Sequence, residues 1–359
     1  MTQPLIIDGH LDLAMNAVLW NRDLTQPLEA IREREAEKAD KPDRGRGVVS
    51  FDEMKRGNIG ICIATQIGHS VSQNSPLEGW HSAEIAWAQT QAQLAWYRVM
   101  EENGVMAAIT DRQSMDRQLQ RWNDDSDNCP LGYILSLEGG DSMLTLQYLD
   151  RAYEYGLRAV GPAHYGPGRY SPGTGEEGPL EPAGRELVKR MAELGMALDV
   201  THLTDKAFWE ALEIFDGVCW ASHSNCRSLV PAQRQLSDDQ IKALVQRDAV
   251  IGAAFDAWML IPDWVRGETT PEDTGVSMQN VADHIDYICQ LVGTSRHCCI
   301  GSDLDGGYGM EQCPGDLKSI ADLQQLAEIL LSRGYSQSDL DGIMQGNWIR
   351  RFNDLWSNE

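Results

Sequence analysis

His10 and Asp12 stand two residues apart, directly after the apolar run Ile6-Ile7. On a strand, alternation with a period of two puts both on one side. A neutral imidazole and a carboxylate converging there suit a divalent metal of the zinc class. A polar turn after an edge strand would look the same over so short a stretch. Residues of the same kind close five more apolar runs: Glu138 after Tyr133–Leu137, His164 after Leu157–Ala163, His202 after Met196–Thr201, His223 after Val218–Ser222 and Asp303 after Cys298–Ser302. Brought together, such a set could hold two cations about 3.5–4 Å apart and hydrolyse an amide. Glu138 is the best placed carboxylate to bridge the two cations, with a hydroxide as the second bridge. Asp303 could accept the proton of the bridging water and pass it to the leaving amine.

An alternation of strand and helix must position these side chains. The runs predict strands at the opening stretch, Ile61–Ile67, Tyr133–Gly140, Leu157–His164, Met196–His202, Val218–Asn225, Ala249–Phe255 and Cys298–Gly306. Another short run, Val105–Thr110, has no assigned place among them. Asn16 to Asp43 reads as a helix followed by an exposed loop, Gly79 to Asn103 as one long helix, and Ser319–Arg333 with Ser338–Asn353 as two extra C-terminal helices. Buried strands alternating with helices mean a parallel sheet. Eight units favour a closed (β/α)8 TIM barrel, expected here as a single domain over residues 1–359, with the strand C-termini meeting at one mouth. A doubly wound sheet would need a glycine fingerprint after its first strand, and Asp8-Gly9-His10 is not one.

The chain has 359 residues and a net charge of −24, from 54 acidic and 30 basic residues. That balance argues against nucleic acid or an anionic membrane as partner. No basic leader with a long apolar segment opens the sequence, and no run reaches the length of a membrane span. The eight cysteines are scattered without a CxxC pair, so free thiols in a reducing cytoplasm are expected. His69 follows the second strand and is within reach of the mouth. His81 and His297 read as surface or packing residues, and His284 as a structural hydrogen-bonding residue on a helix. Trp80, Trp87, Trp96 and Trp209 fall at helical positions and read as core or interface. The irregular stretch Tyr165 to Pro182 is too long for a simple connector and reads as substrate-facing.

Asp8-Gly9-His10-Leu11-Asp12, Ser136-Leu137-Glu138-Gly139, Thr201-His202, Ser222-His223-Ser224 and Gly301-Ser302-Asp303-Leu304-Asp305-Gly306 occur in that order. With His284-Ile285-Asp286 and Gly346-Asn347-Trp348, they resemble the membrane (renal) dipeptidase family of amidohydrolase-type barrels, over almost the whole chain. The resemblance implies a zinc-dependent dipeptidase acting on small dipeptides, with D residues tolerated at the C-terminal position and a homodimer as the family-level assembly. The cytoplasmic location is expected from the sequence signals above, since the family's animal enzymes are secreted and lipid-anchored. The resemblance also implies two Zn2+ per chain, one on His10, Asp12 and Glu138 and the other on Glu138, His202 and His223. Asp303 would be the proton-transferring acid/base, His164 would hold the substrate carbonyl as it becomes an oxyanion, and Arg234 would bind the C-terminal carboxylate. Two stretches depart from the family pattern: Asp256-Ala257-Trp258-Met259 lacks the expected tyrosine, and Tyr165–Tyr170 replaces a shorter loop. Another small amide, such as an N-acyl amino acid or a lactam, is the alternative substrate, and a non-catalytic metal-binding barrel is the third reading.

Overall fold

The computed structural model describes residues 3–357; Met1, Thr2, Asn358 and Glu359, the ends of the expected single domain, lie outside the described residues. Nine parallel strands form the sheet: β1 (Ile6–Leu11), β2 (Ile59–Ile67), β3 (Met106–Ala108), β4 (Leu131–Glu138), β5 (Leu157–Gly161), β6 (Ala197–Asp199), β7 (Cys219–Trp220), β8 (Ile251–Ala253) and β9 (Cys298–Ile300). Their order is β7-β6-β5-β4-β2-β1-β9-β8, and a bridge between Ala221 and Ile251 joins the two ends into a barrel. The strand of unassigned place is β3. It pairs with the first half of β4 (Met106 with Leu131, Ala108 with Tyr133), while β5 pairs with the second half from Leu135 onward. The (β/α)8 barrel therefore has eight staves and one short added strand.

An apolar cluster joins Ile7, Ile61, Ile63, Ile134, Ala159, Ala197, Trp220 and Cys299 from the strands with Val250 just before β8. Trp348, Phe352 and Trp356 join this cluster from the helix Asn347–Leu355. Trp348 is fully buried and its Nε1 donates to the Ile300 carbonyl at 2.9 Å. A Cβ on Gly9 would come within 2.3 Å of the Trp348 ring, so only glycine fits at that point of β1. Replacing Trp348 with alanine should lower stability by about 3–5 kcal/mol, to be read from denaturant or thermal unfolding. A change below about 1 kcal/mol would mean the helix does not support the barrel.

Three expectations are corrected. Residues 16–43 do end in a helix and an exposed loop, at 28–35 and 36–42, but they are not one helix and their charges are not all solvated. Two short helices, Leu13–Val18 and Leu28–Glu35, flank a segment pinned from within by buried Arg22. Arg22 donates to Glu35 at 3.1 Å, to Asp43 at 2.8 Å and to Asn16 at 2.6 Å, so charges that read as solvated satisfy one another internally. The long helix starts at Ala83 rather than Gly79, because the Ser82 hydroxyl caps it by accepting from the Ile85 N–H. Trp80 consequently sits on no helix; its backbone exchanges hydrogen bonds with His69 and Val71 in the loop after β2. The C-terminal helices are present, the second with a π turn at Gly342–Gly346 inserted before Asn347. No helix among the described residues is long and apolar enough to cross a membrane.

Candidate active site

The strand ends converge as their polar residues require, though β1 does so by an irregularity. Between Asp8 and Leu11 three steps on β1 oppose two on β2, where Cys62 faces Asp8 and Ala64 faces Leu11. Strict alternation would turn Ile7 and His10 to opposite faces. The extra residue resets the parity, so Ile7 joins the apolar cluster and His10 still enters the mouth. Asp8 fixes the bulge, accepting from the His10 N–H at 3.2 Å, the Ser302 N–H at 2.8 Å and the Ser302 hydroxyl at 2.5 Å. His10 and Asp12 still come to one side, 3.8 Å apart, as alternation predicts. Asp12 lies just past β1, held by the Thr65 hydroxyl on β2.

Glu138 is the centre of the cluster. Its Oε1 lies 3.1 Å from His202 Nε2, 3.5 Å from His223 Nε2 and 3.6 Å from His10 Nε2. His164 Nε2 is 3.8 Å from Glu138 Oε2. His10 Nε2 is also 3.8 Å from Asp12 and 3.7 Å from Asp303. Thr174 Oγ1 stands 2.8 Å from His202 Nδ1, and Ser222 Oγ stands 2.9 Å from His223 Nδ1. With each Nδ1 donating to its hydroxyl, each Nε2 keeps its lone pair for the centre. Burial pushes the pKa values of His202 and His223 well down, which keeps both rings neutral. Burial, with Asp12 and Glu138 nearby, pushes Asp303 well up. His202 and Asp303 both adopt left-handed backbone, with φ of 69° and 60°, a costly conformation that clusters at functional sites.

These residues suit divalent cations. His10 Nε2 is buried and has no hydrogen-bond partner. Among the described residues no lysine or arginine forms an ion pair with Asp12, Glu138 or Asp303, so two buried carboxylates and one partly buried one lack a lysine or arginine counter-ion. Three triplets bring ligand atoms within 4.8 Å of one another: His10–Glu138–His223, Glu138–His164–His202 and His10–Asp12–Asp303. All seven strand-end residues thus meet, and Glu138 belongs to two of the triplets.

Above the cluster opens a cavity of about 930 Å3. Arg234 lines it, buried, donating to the His223 carbonyl at 2.7 Å and the Ser224 hydroxyl at 3.2 Å. It has no carboxylate partner among the described residues. His69 does reach the mouth, 3.5 Å from Asp141, and His81 also lines the cavity. The loop after His164 faces the cavity through Tyr165 and reaches the cluster through Thr174. His284 is structural, accepting from the Cys226 N–H at 3.1 Å, and all eight cysteines are free thiols. Sequence reasoning missed Thr65, Thr174 and Asp141, and it passed over Arg266, which stands in a loop without a pattern. Ser222 was adjacent to a named ligand and was the one such partner within reach of motif reading.

Gly306 sets the Asp303 rotamer, since a Cβ there would lie 2.1 Å from Asp303 Oδ1. Gly306→Ala should lower kcat by about 100-fold with the metal content unchanged. Steady-state kinetics beside elemental analysis checks this, and an unaltered kcat would show that the carboxylate position is not critical.

Residues 1–357 match the membrane dipeptidase family, peptidase family M19. An uncharacterized protein from the pqqA 5' region of Klebsiella pneumoniae is 33% identical over 216 residues, covering 58% of this chain and 76% of that protein. A dipeptidase of Aspergillus oryzae is 28% identical over 60% of this chain, an alignment that spans 49% of its own length. In fold, the chain is similar to a metallopeptidase from Rhodobacter sphaeroides solved with a phosphinate mimic of the dipeptide L-Ala-D-Ala. The TM-score is 0.78 at 21% identity, over 99% of this chain and 100% of that one.

Proposed function

The chain belongs to the membrane dipeptidase family, peptidase family M19, and from that premise we propose that it is a zinc-dependent dipeptidase. The observation that carries the reading is Arg234, a buried guanidinium without an ion-pair partner that opens on the same cavity as the Glu138 cluster. An enzyme that cleaves one amide from a carboxylate-ended substrate needs such a counter-ion beside its reacting centre. His10, Asp12 and Glu138 would hold one zinc ion, and Glu138, His202 and His223 the second. When bound, such a pair supplies acidified water and polarises the scissile carbonyl.

The remaining steps fall to side chains. Arg234 binds the C-terminal carboxylate and fixes the register of the amide over Glu138. His164 donates a hydrogen bond to the carbonyl oxygen as it gains charge. Asp303 takes the proton of the attacking water on its carboxylate and returns it to the leaving amine. Both configurations are accepted at the C-terminal residue.

The cavity of about 930 Å3 lies near the top of the usual 300–1,000 Å3 range for small-molecule sites, and it is roomy for a dipeptide. That favours N-acyl amino acids as the second reading, because they keep the carboxylate and enlarge the acyl side. A panel of L,L, L,D and D,D dipeptides beside N-acyl amino acids, assayed on zinc-reconstituted enzyme, separates the two. Cleavage of N-acyl amino acids alone would overturn the dipeptidase reading.

A further inference from the structure

Beyond the Arg234 site, the cavity holds a second guanidinium in a built setting. Arg266 lies in the loop after the short helix Ala257–Leu260. Its Nη2 donates to Asp256 Oδ2 at 3.0 Å and to the Tyr165 hydroxyl at 3.1 Å. The guanidinium carbon packs 4.7 Å from the Trp258 ring centre and 5.7 Å from that of Tyr165. Asp256 is itself buried and held from its other oxygen by the Gln312 amide at 2.8 Å and the Trp258 N–H at 3.4 Å. Arg266 is therefore fixed in place before any ligand arrives, which spares the entropy usually lost when a long cation is ordered.

The anchoring uses one corner of the fork. Nε and Nη1 have no hydrogen-bond partner among the described residues, the side chain is 48% exposed, and the residue lines the cavity. With both Nη2 hydrogens engaged, Nε and Nη1 remain as separate donors, each able to give one charge-assisted hydrogen bond to a ligand carboxylate. Tyr165, which accepts from Arg266, sets its ring 5.0 Å from that of His164 and 5.3 Å from that of His202, so Arg266 stands one residue away from the Glu138 cluster. The cavity is also lined by the apolar side chains of Met15, Leu19, Trp20, Leu77 and Trp80.

We propose that Arg266, braced by Asp256, Tyr165 and Trp258, forms a second carboxylate subsite that takes the side chain of an aspartate or glutamate in the leaving position. This rests on the dipeptidase reading, with Arg234 on the α-carboxylate. The wall that replaces the family's tyrosine thereby makes the enzyme selective for acidic C-terminal residues.

Ala-Glu and Ala-Gln are nearly isosteric and differ in the charge that Arg266 would read. With zinc-loaded enzyme, kcat/KM for Ala-Glu should exceed that for Ala-Gln by about tenfold or more, the equivalent of about 1.4 kcal/mol. In Arg266→Gln that ratio should fall to about 2 or less, mainly through KM, and Arg266→Lys should restore part of it. Calorimetric binding of L-glutamate against L-glutamine gives a readout independent of turnover, with the same loss of preference expected in Arg266→Gln. No preference in the wild type, or a preference that survives Arg266→Gln, overturns the subsite. So does an equal loss on both substrates with the ratio retained, which would assign Arg266 to the α-carboxylate or to the fold. If no dipeptide is cleaved but glutamate still binds better than glutamine through Arg266, the dipeptidase reading fails and the carboxylate subsite stands.

Discussion

Asp303→Asn is expected to lower kcat by about 10³-fold while leaving the metal content and KM close to those of the wild type. Asparagine keeps the size and the left-handed backbone tolerance of aspartate, which matters at a φ of 60°. It lacks a basic oxygen that can take a proton. Asp303 Oδ1 lies 3.7 Å from His10 Nε2, and the carboxylate makes no ion pair with lysine or arginine among the described residues. Its loss should therefore leave the ligands around Glu138 in place. Elemental analysis and steady-state kinetics on the same preparation check both halves. Wild-type turnover in the variant would remove Asp303 from proton transfer, and loss of metal would make it a ligand.

Glu138→Ala should have the widest effect on metal content, because one oxygen of this side chain faces the Nε2 atoms of His10, His202 and His223 within 3.6 Å. Both metals should fall well below full occupancy. Activity should drop by more than the 10–100-fold typical when an outer partner of a ligand is lost. His10→Ala provides the contrast. It should strip mainly one ion, since His202 and His223 retain their hydroxyl partners Thr174 and Ser222. Zinc per chain after gel filtration distinguishes the two outcomes, and loss of a single ion from both variants would show that Glu138 is not shared.

The barrel and its mouth were legible because each stave is a short apolar run closed by a polar residue, and burial on both faces leaves that trace in the sequence. His10, Glu138, His164, His202, His223 and Asp303 were found in this way. The bulge in β1 was not legible, because it depends on how many residues of β2 stand opposite, a property of pairing rather than of either strand. Nor was the burial of Arg22, Glu35 and Asp43, since a charged residue carries no local mark of whether its counter-ion is protein or water. Arg266 escaped for a related reason. Its partners Tyr165 and Asp256 lie on different loops, and only closure of the barrel brings those loops together. The opposite case is Arg234, which reads as an ordinary surface residue and was placed by resemblance alone, yet it is buried at the cavity wall.

The order in which the ribosome delivers this chain sets a constraint that the finished barrel conceals. β1 emerges first, but the Ser302 N–H and hydroxyl that secure its bulge lie 294 residues downstream. The ring that packs against Gly9 arrives later still, on Trp348. Contacts so distant in sequence form slowly, and a nascent chain holding an unsealed barrel exposes apolar strands meanwhile. Every proposed zinc ligand has been synthesised by His223, long before β9 can close the ring beside β1. Metal offered during translation would thus meet loose ligands rather than a finished site.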